Sequence, residues 1–228
     1  MEREPRKYRY LDLLINIFVV VLIVSNLIAP KVVPLGSWMI ISAAQLLFPI
    51  TYIFGDIFTE VYGYSASRRA IWTGFLGSLI MAVFGMFAIW LPPAPGFHDQ
   101  KAFETIFGVV PRNLAASLVA YCAGEFANSL TVAKMKLWTN GKYLWTRTVG
   151  STIVGQAVDT TIVIVIIFWG NPPETMLRLI ISGYVFKVVY EVLATPLTYA
   201  VVNALKRTEG VDYFDRHTNF NPFAVKRA

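Results

Sequence analysis

The chain has 228 residues, of which 56% are hydrophobic and only 15% are charged, and its mean hydropathy is +0.55. Soluble domains have about 25% charged residues, so this composition excludes an ordinary soluble protein and predicts an integral membrane protein. The net charge of +6 does not indicate a nucleic-acid partner, because the basic residues cluster at the ends of apolar runs. The single cysteine, Cys122, excludes a disulfide framework.

Apolar runs of about 20 residues, the length that crosses a hydrocarbon core, recur six times along the chain. The predicted spans cover residues 10–29, 38–62, 70–91, 112–137, 146–169 and 174–205. Pro49 falls inside the second span and is expected to kink it. In the long loop after the third span, residues 102–107 are compatible with a short interfacial helix, which would act either as a lid or as a plain connector.

The distribution of basic residues predicts the orientation of the spans. Of the 20 Lys and Arg residues, 15 lie in the N-terminal segment, the loops after spans 2 and 4, and the C-terminal tail, whereas four lie on the opposite side. Cytoplasmic segments carry the excess of Lys and Arg, so both termini are predicted to be cytoplasmic. The predicted fold is therefore an all-α, six-transmembrane-helix bundle. It comprises an N-terminal tail (1–9), a transmembrane domain (10–205) and a C-terminal tail (206–228).

Polar residues recur on three spans in the same local pattern. Each pattern has a glycine, a polar side chain directly after it, and two more polar side chains four and five residues after the glycine. The three sets are Gly55 with Asp56, Thr59 and Glu60; Gly124 with Glu125, Asn128 and Ser129; and Gly155 with Gln156, Asp159 and Thr160. These positions share one helical face, and a glycine lets a neighbouring backbone approach. We therefore expect three polar stripes that face a common interior.

The sixth span adds Lys187 and Glu191, which are four residues apart and are expected to form an intrahelical ion pair. Five acids (Asp56, Glu60, Glu125, Asp159 and Glu191) then face this single base inside the membrane. Unpaired charge at that depth is costly. Three explanations remain open: some acids hold protons, Arg112 and Arg147 reach in from the span ends, or a cationic or donor-rich ligand occupies a cavity.

Several motifs follow one another along nearly the whole chain. They are Asp56-x-x-Thr59-Glu60-x-Tyr62-Gly63; Arg112 with Ser117 and Tyr121; Asn128-Ser129; Arg147-x-x-x-Ser151-Thr152-x-x-Gly155-Gln156-x-x-Asp159-Thr160; Lys187-x-x-x-Glu191-x-x-x-Thr195-Pro196; and Glu209-Gly210-Val211-Asp212-Tyr213-Phe214-Asp215 with Asn221-Pro222-Phe223. Together and in this order they resemble the queuosine precursor transporter family of six-span vitamin uptake transporters.

The resemblance implies a multi-pass protein of the bacterial inner membrane that takes up 7-deazaguanines, such as preQ0, preQ1 or queuine. A guanine-like edge offers neighbouring N–H donors that a carboxylate can accept, and the purine-like ring favours aromatic stacking. The predicted substrate-binding residues are Asp56, Glu60, Glu125, Asn128, Gln156, Asp159, Lys187 and Glu191. Candidate stacking residues are Tyr52, Phe54, Phe58, Tyr121, Phe126 and Tyr190.

Two transport mechanisms remain open on the sequence alone. The chain lacks a GxxxxGK[ST] phosphate loop, so it is predicted to be either a secondary transporter or a substrate-binding subunit for a separate ATP-driven module. We predict no enzymatic activity, no cofactor and no metal site, since His98 and His217 are the only histidines and lie on opposite sides. The expected partners are a small purine-like substrate and the lipid bilayer, not nucleic acid. A homodimer is compatible with the small residues of span 3.

Overall fold

A computed structural model describes residues 8–28, 31–35, 39–108, 111–167, 169–170, 172–216 and 218–223. Within these residues the chain forms seven α-helices and one short β-hairpin. The helices are α1 (Leu11–Ile28), α2 (Phe48–Ile57), α3 (Tyr64–Trp90), α4 (Gln100–Phe107), α5 (Pro111–Trp138), α6 (Leu144–Ile167) and α7 (Pro173–Glu209). The hairpin pairs β1 (Val32–Leu35) with β2 (Met39–Ser42) in antiparallel fashion. This hairpin is a departure from the predicted all-α fold.

Predicted span 2 is not a continuous helix from residue 38. The chain instead runs from β2 through a 3-10 turn (Ala43–Leu46) into α2, and then through a π-helical turn (Phe58–Tyr62). The prediction that Pro49 kinks a span is wrong, because Pro49 lies in the first turn of α2. Proline is tolerated there, since the amide groups of a first turn have no partner within the helix.

Gly63 separates the π-helical turn from α3, which begins at Tyr64 rather than at residue 70. Gly63 has a φ of +89°, a conformation that glycine adopts without steric cost. A Cβ at this position would also collide with the ring of Tyr213. The segment that the sequence assigned to a loop thus forms the first turns of α3, and Gly63 alone separates α3 from the π-helical turn.

The apolar core forms where α1 packs on α2. Residues Leu11, Ile15, Phe18 and Leu22 are buried on one face of α1 at helical spacing. The Phe18 ring lies 5.7 Å from that of Phe58, in an edge-to-face arrangement. This packing fixes the position of α2 and of the π-helical turn, which together carry Asp56 and Glu60.

The small residues of predicted span 3 are used within the chain. A Cβ at Gly74 would lie 2.9 Å from side-chain atoms of both Phe18 and Leu22 of α1, and one at Gly85 would lie 2.5 Å from Phe107 of α4. These glycines therefore allow close intramolecular packing, and the homodimer expected from this span stays a prediction. The short helix expected at residues 102–107 is present as α4.

Within the described part of the chain, three helices are long and apolar enough to cross a membrane: Leu11–Ile28, Tyr64–Trp90 and Leu144–Ile166. The outward face of α3 exposes large apolar side chains, including Val83, Phe84 and Trp90, as expected of a surface in contact with lipid. The described architecture is consistent with a membrane helical bundle.

Candidate functional site

The three glycine-led stripes meet inside the bundle. A Cβ at Gly124 would lie 3.0 Å from the carbonyl oxygen of Gly155, and a Cβ at Gly155 would lie 3.0 Å from that of Gly124. A Cβ at Gly55 would lie 2.5 Å from Oε2 of Glu125 and 3.4 Å from Nδ2 of Asn128. Glycine thus permits close contact of α2, α5 and α6, and this contact brings their polar residues together.

Seven of the eight predicted site residues form one buried group, here called the acid cluster. Its members are Asp56, Glu125, Asn128, Gln156, Asp159, Lys187 and Glu191, and each is at most 9% exposed. They come from α2, α5, α6 and α7. The prediction that the polar stripes face a common interior is confirmed by this geometry.

Only part of the acid cluster is satisfied by protein hydrogen bonds. Oδ1 of Asp56 accepts hydrogen bonds from Nδ2 of Asn128 at 2.8 Å and from Oγ of Ser151 at 3.1 Å. Nζ of Lys187 donates to Oδ2 of Asp159 at 2.5 Å. These contacts tie α2 to α5 and α6, and α6 to α7.

The ion pair predicted between Lys187 and Glu191 is not formed. Lys187 bonds Asp159 on the neighbouring helix, with a longer contact of 3.4 Å to Oγ1 of Thr160. Its ammonium group also lies 5.4 Å from the centre of the Phe48 ring, within cation–π range. A carboxylate, a hydroxyl and an aromatic face together stabilise a buried ammonium group better than Glu191 alone would, which explains why Lys187 pairs with the neighbouring helix.

Several polar atoms of the cluster and of two nearby tyrosines have no hydrogen-bond partner within the described part of the chain. They are both carboxyl oxygens of Glu125 and of Glu191, both side-chain polar atoms of Gln156, Oδ1 of Asn128, Oδ2 of Asp56, and the hydroxyls of Tyr52 and Tyr121. Buried polar groups in folded proteins are nearly always hydrogen-bonded. A group of ten such atoms on neighbouring residues marks the region where a polar ligand would be held.

An aromatic wall stands beside these polar atoms. The Phe48 ring lies 6.2 Å from that of Tyr52 and 5.8 Å from that of Tyr121. Tyr52 and Tyr121 were among the expected stacking residues, whereas Phe48 was missed. The signal was available: Phe48, Tyr52 and Asp56 follow one another at four-residue intervals and therefore share a helical face.

Three other predicted stacking candidates, Phe54, Phe58 and Phe126, have different ring partners. Phe54 and Phe58 pack against Phe18 in the apolar core. Phe126 packs against Trp72, with ring centres 5.9 Å apart. Tyr190 donates a long hydrogen bond of 3.4 Å to the carbonyl oxygen of Leu46. Tyr121 also contacts Phe18, with ring centres 6.4 Å apart. The hydroxyls of Tyr52 and Tyr121, however, lack a hydrogen-bond partner among the described residues, which favours these two of the six candidates.

Glu60, the eighth predicted site residue, belongs to a separate ion network. Its carboxylate accepts two hydrogen bonds from the guanidinium of Arg147, at 2.6 and 2.7 Å, and one from Lys206. Lys136 bonds the backbone carbonyl oxygen of Glu60 at 2.5 Å and the carboxylate of Asp212 at 2.6 Å. We call Glu60, Lys136, Arg147, Lys206 and Asp212 the ion network. Three cations, Arg147, Lys206 and Lys136, thus pair with the Glu60 carboxylate, so its role as a substrate-binding residue stays a prediction that this geometry does not favour.

The expectation that basic residues reach in from the span ends holds for Arg147, whereas the side chain of Arg112 lies outside the described part of the chain. Arg147 neutralises Glu60 only. The acid cluster therefore retains four acids against Lys187. Isolated carboxylates are costly in hydrocarbon, so the cluster favours bound protons or a cationic, donor-rich ligand. Among the described residues, no group of three or more His, Cys, Asp and Glu side chains has the arrangement of a metal site.

Comparisons with known proteins identify the family of the chain. Residues 42–201 match the family model described as "Putative vitamin uptake transporter". A protein of Bacillus subtilis (strain 168) described as "Probable queuosine precursor transporter" is 31% identical over 191 residues, which cover 81% of each chain. No solved structure gives a significant match. The matched region carries every residue of the acid cluster, and the chain belongs to the vitamin uptake transporter family.

Proposed function

We propose that this protein takes up queuosine precursors, the 7-deazaguanine bases, across a bacterial inner membrane. The observation that carries the proposal is Glu125, whose two carboxyl oxygens are fully buried and have no partner among the described residues. A carboxylate with both oxygens available is the natural acceptor for the adjacent N–H groups of a guanine-like edge. The name of the Bacillus subtilis relative points to the same class of substrate.

The neighbours of Glu125 fit such a ligand. Gln156 offers one unpartnered amide nitrogen and one unpartnered oxygen, so it can both donate to and accept from a purine-like ring. Tyr52 and Tyr121, with Phe48 between them, supply flat apolar faces, and stacking on such faces contributes about 1–3 kcal/mol per base elsewhere. Asp159 is already paired with Lys187, so Glu125 is the better candidate of the two for binding the ligand.

The proposal includes six spans with both termini in the cytoplasm. The 28-residue α5 and the 37-residue α7 would be about 42 and 55 Å long at 1.5 Å per residue, which exceeds the hydrocarbon core of about 30 Å. The helices α1, α3, α5, α6 and α7 would each cross the membrane. The remaining span would be the shorter unit formed by α2 and the π-helical turn.

The first test is ligand binding. Purified protein should bind a 7-deazaguanine, and Glu125→Gln should weaken binding because it replaces an acceptor oxygen by a donor facing the ligand's N–H groups. Loss of a charge-assisted hydrogen bond of about 1.5–3 kcal/mol corresponds to roughly 10- to 150-fold in affinity. Glu174→Gln is the matched control, since Glu174 is exposed at the start of α7 and pairs only with Arg178 among the described residues. Equal affinities in both variants would contradict the assigned role of Glu125.

The second test separates the two transport mechanisms. We expect protein reconstituted alone into liposomes to take up the base, as a secondary transporter would. Glu191 is buried and has no hydrogen-bond partner among the described residues. It would take up a proton when the site opens, so an inward proton gradient should accelerate uptake. Binding without uptake, restored by an added ATP-driven module, would favour the substrate-binding subunit instead.

A further inference from the structure

The C-terminal segment is an ordered strap across one end of the bundle. We call residues 211–216 and 218–223 the strap. Arg68 donates two hydrogen bonds of 3.0 Å to backbone carbonyls of the strap, and Nε1 of Trp72 donates one of 2.8 Å to the carbonyl oxygen of Pro222. The carboxylate of Asp215 accepts the backbone N–H of Tyr64 at 3.0 Å. The strap is thus fixed along the first turns of α3.

Aromatic residues of the strap fill the gaps between helix ends. The Tyr213 ring covers Gly63, where a Cβ would collide with it, and the Tyr213 amide donates to the carbonyl oxygen of Val61 at 3.3 Å. The Phe214 ring lies close to Gly141, in the turn between α5 and α6, at 2.8 Å from the position of a Cβ. Close approach at these two glycines holds the strap against this end of the bundle.

The ion network links the strap to the level just below the acid cluster. Asp212 of the strap accepts hydrogen bonds from Lys136 at 2.6 Å and from Lys206 at 2.9 Å, and Lys206 also binds Glu60. Glu60 lies four residues, about one turn, beyond Asp56 of the acid cluster. Along this side of the bundle, the ion network therefore lies between the acid cluster and the strap.

We propose that the strap and the ion network form the gate that closes the substrate site towards the cytoplasm. The gate opens when Asp212 leaves the two lysines and the strap lifts from Gly63 and Gly141. This inference rests on the proposed function in taking the acid cluster as the substrate site and the end that carries the strap as cytoplasmic.

The strength of the contacts decides which part moves. Glu60 and Arg147 are each 1% exposed at the side chain and are joined by two hydrogen bonds, so separating them would leave buried charges unpaired. The Asp212 side chain, in contrast, is 47% exposed, and Lys206 is 20% exposed. Solvent can replace the contacts on the Asp212 side, and Lys136, which is 1% exposed, keeps its hydrogen bond to the carbonyl oxygen of Glu60. The strap is therefore the mobile element and Glu60 with Arg147 the fixed one.

The test measures access to the cluster rather than transport. In a Cys122→Ala background, Ser151→Cys places a thiol beside Asp56, and a membrane-impermeant thiol reagent is added to sealed vesicles from the cytoplasmic or the opposite face. Asn140→Cys, in the turn after α5, reports that the cytoplasmic face is reached. Asp212→Asn should raise labelling of the thiol from the cytoplasmic face by about tenfold, the equivalent of one weakened charge-assisted hydrogen bond.

A second variant keeps the test independent of the ion network. Trp72→Phe removes the hydrogen bond to Pro222 but keeps an aromatic ring, and it should raise labelling about fivefold. Asp12→Asn is the control, because it removes only the exposed ion pair with Arg69. Unchanged labelling in both test variants, an equal rise in the control, or a rise seen only from the opposite face would overturn the gate. If the wild-type protein does not bind a 7-deazaguanine but the variants show the expected labelling, the proposed substrate would be overturned and the gate would not.

Discussion

The pairing of Lys187 with Asp159 predicts which second substitution rescues the loss of the lysine. Lys187→Met leaves the buried carboxylate of Asp159, whose side chain is 4% exposed, without its cation. Removing one partner of a buried pair costs about 3–5 kcal/mol. For a protein of this size, about 2–4 °C of unfolding temperature corresponds to 1 kcal/mol, so the single variant should unfold roughly 6–20 °C below wild type.

The double variant Lys187→Met with Asp159→Asn should recover most of this loss, because the remaining amide is neutral. Lys187→Met with Glu191→Gln should recover little, since Glu191 is not the partner of Lys187. Thermal unfolding in detergent or nanodiscs measures all four proteins without reference to transport, which Asp159→Asn could impair separately. If the variant carrying Glu191→Gln recovers as much as the one carrying Asp159→Asn, the interhelical assignment is wrong.

Three further predictions concern packing, topology and pH. Gly124→Ala should destabilise the protein by about 1–3 kcal/mol through overpacking, whereas Gly183→Ala, which meets only one side-chain atom at 3.5 Å, should be neutral or slightly stabilising in thermal unfolding. Single cysteines at Thr105 and Asn140 should react with impermeant reagents from opposite faces of the membrane, and labelling from one face would contradict the six-span topology. Partial burial would raise the pKa of Asp212, but hydrogen bonds from two lysines outweigh it and lower the pKa below the usual 3.8. The contribution of this carboxylate to strap docking is therefore present above about pH 4 and lost as the pH falls further. Hydrogen exchange of the strap amides, corrected for intrinsic rates, should then show no release of the strap between pH 7 and pH 5.

The acid cluster was predictable because helical spacing and depth determine which residues share a face. The glycine that precedes each polar set indicated close helix contact, and Gly124 and Gly155 are indeed in contact through their backbones. Pairing was not predictable in the same way. Lys187 has an acid one turn away on its own helix, but the partner it takes depends on the position of α6, which local spacing does not encode.

The region before α2 was predicted poorly for a related reason. Residues 38–47 are apolar and were assigned to a span, although short apolar runs do not distinguish strand from helix by periodicity. The β-branched Val32 and Val33, together with Pro34, favour an extended chain, and β2 pairs with it from Met39 to Ser42. The role of the tail was also missed, in part because several of its contacts are made by backbone carbonyls, as in the bonds from Arg68 and Trp72.

The distribution of cations among the buried acids is the strongest argument that the cluster has a function beyond packing. Glu60 lies one turn from Asp56, and it is bound by both Arg147 and Lys206. The chain can therefore neutralise a buried carboxylate fully where structure alone requires it. Glu125 and Glu191 are equally buried but receive no such partner from the described residues. Packing does not require two uncompensated acids near the middle of a bundle, whereas recognition of a donor-rich base, or exchange of a proton with it, does.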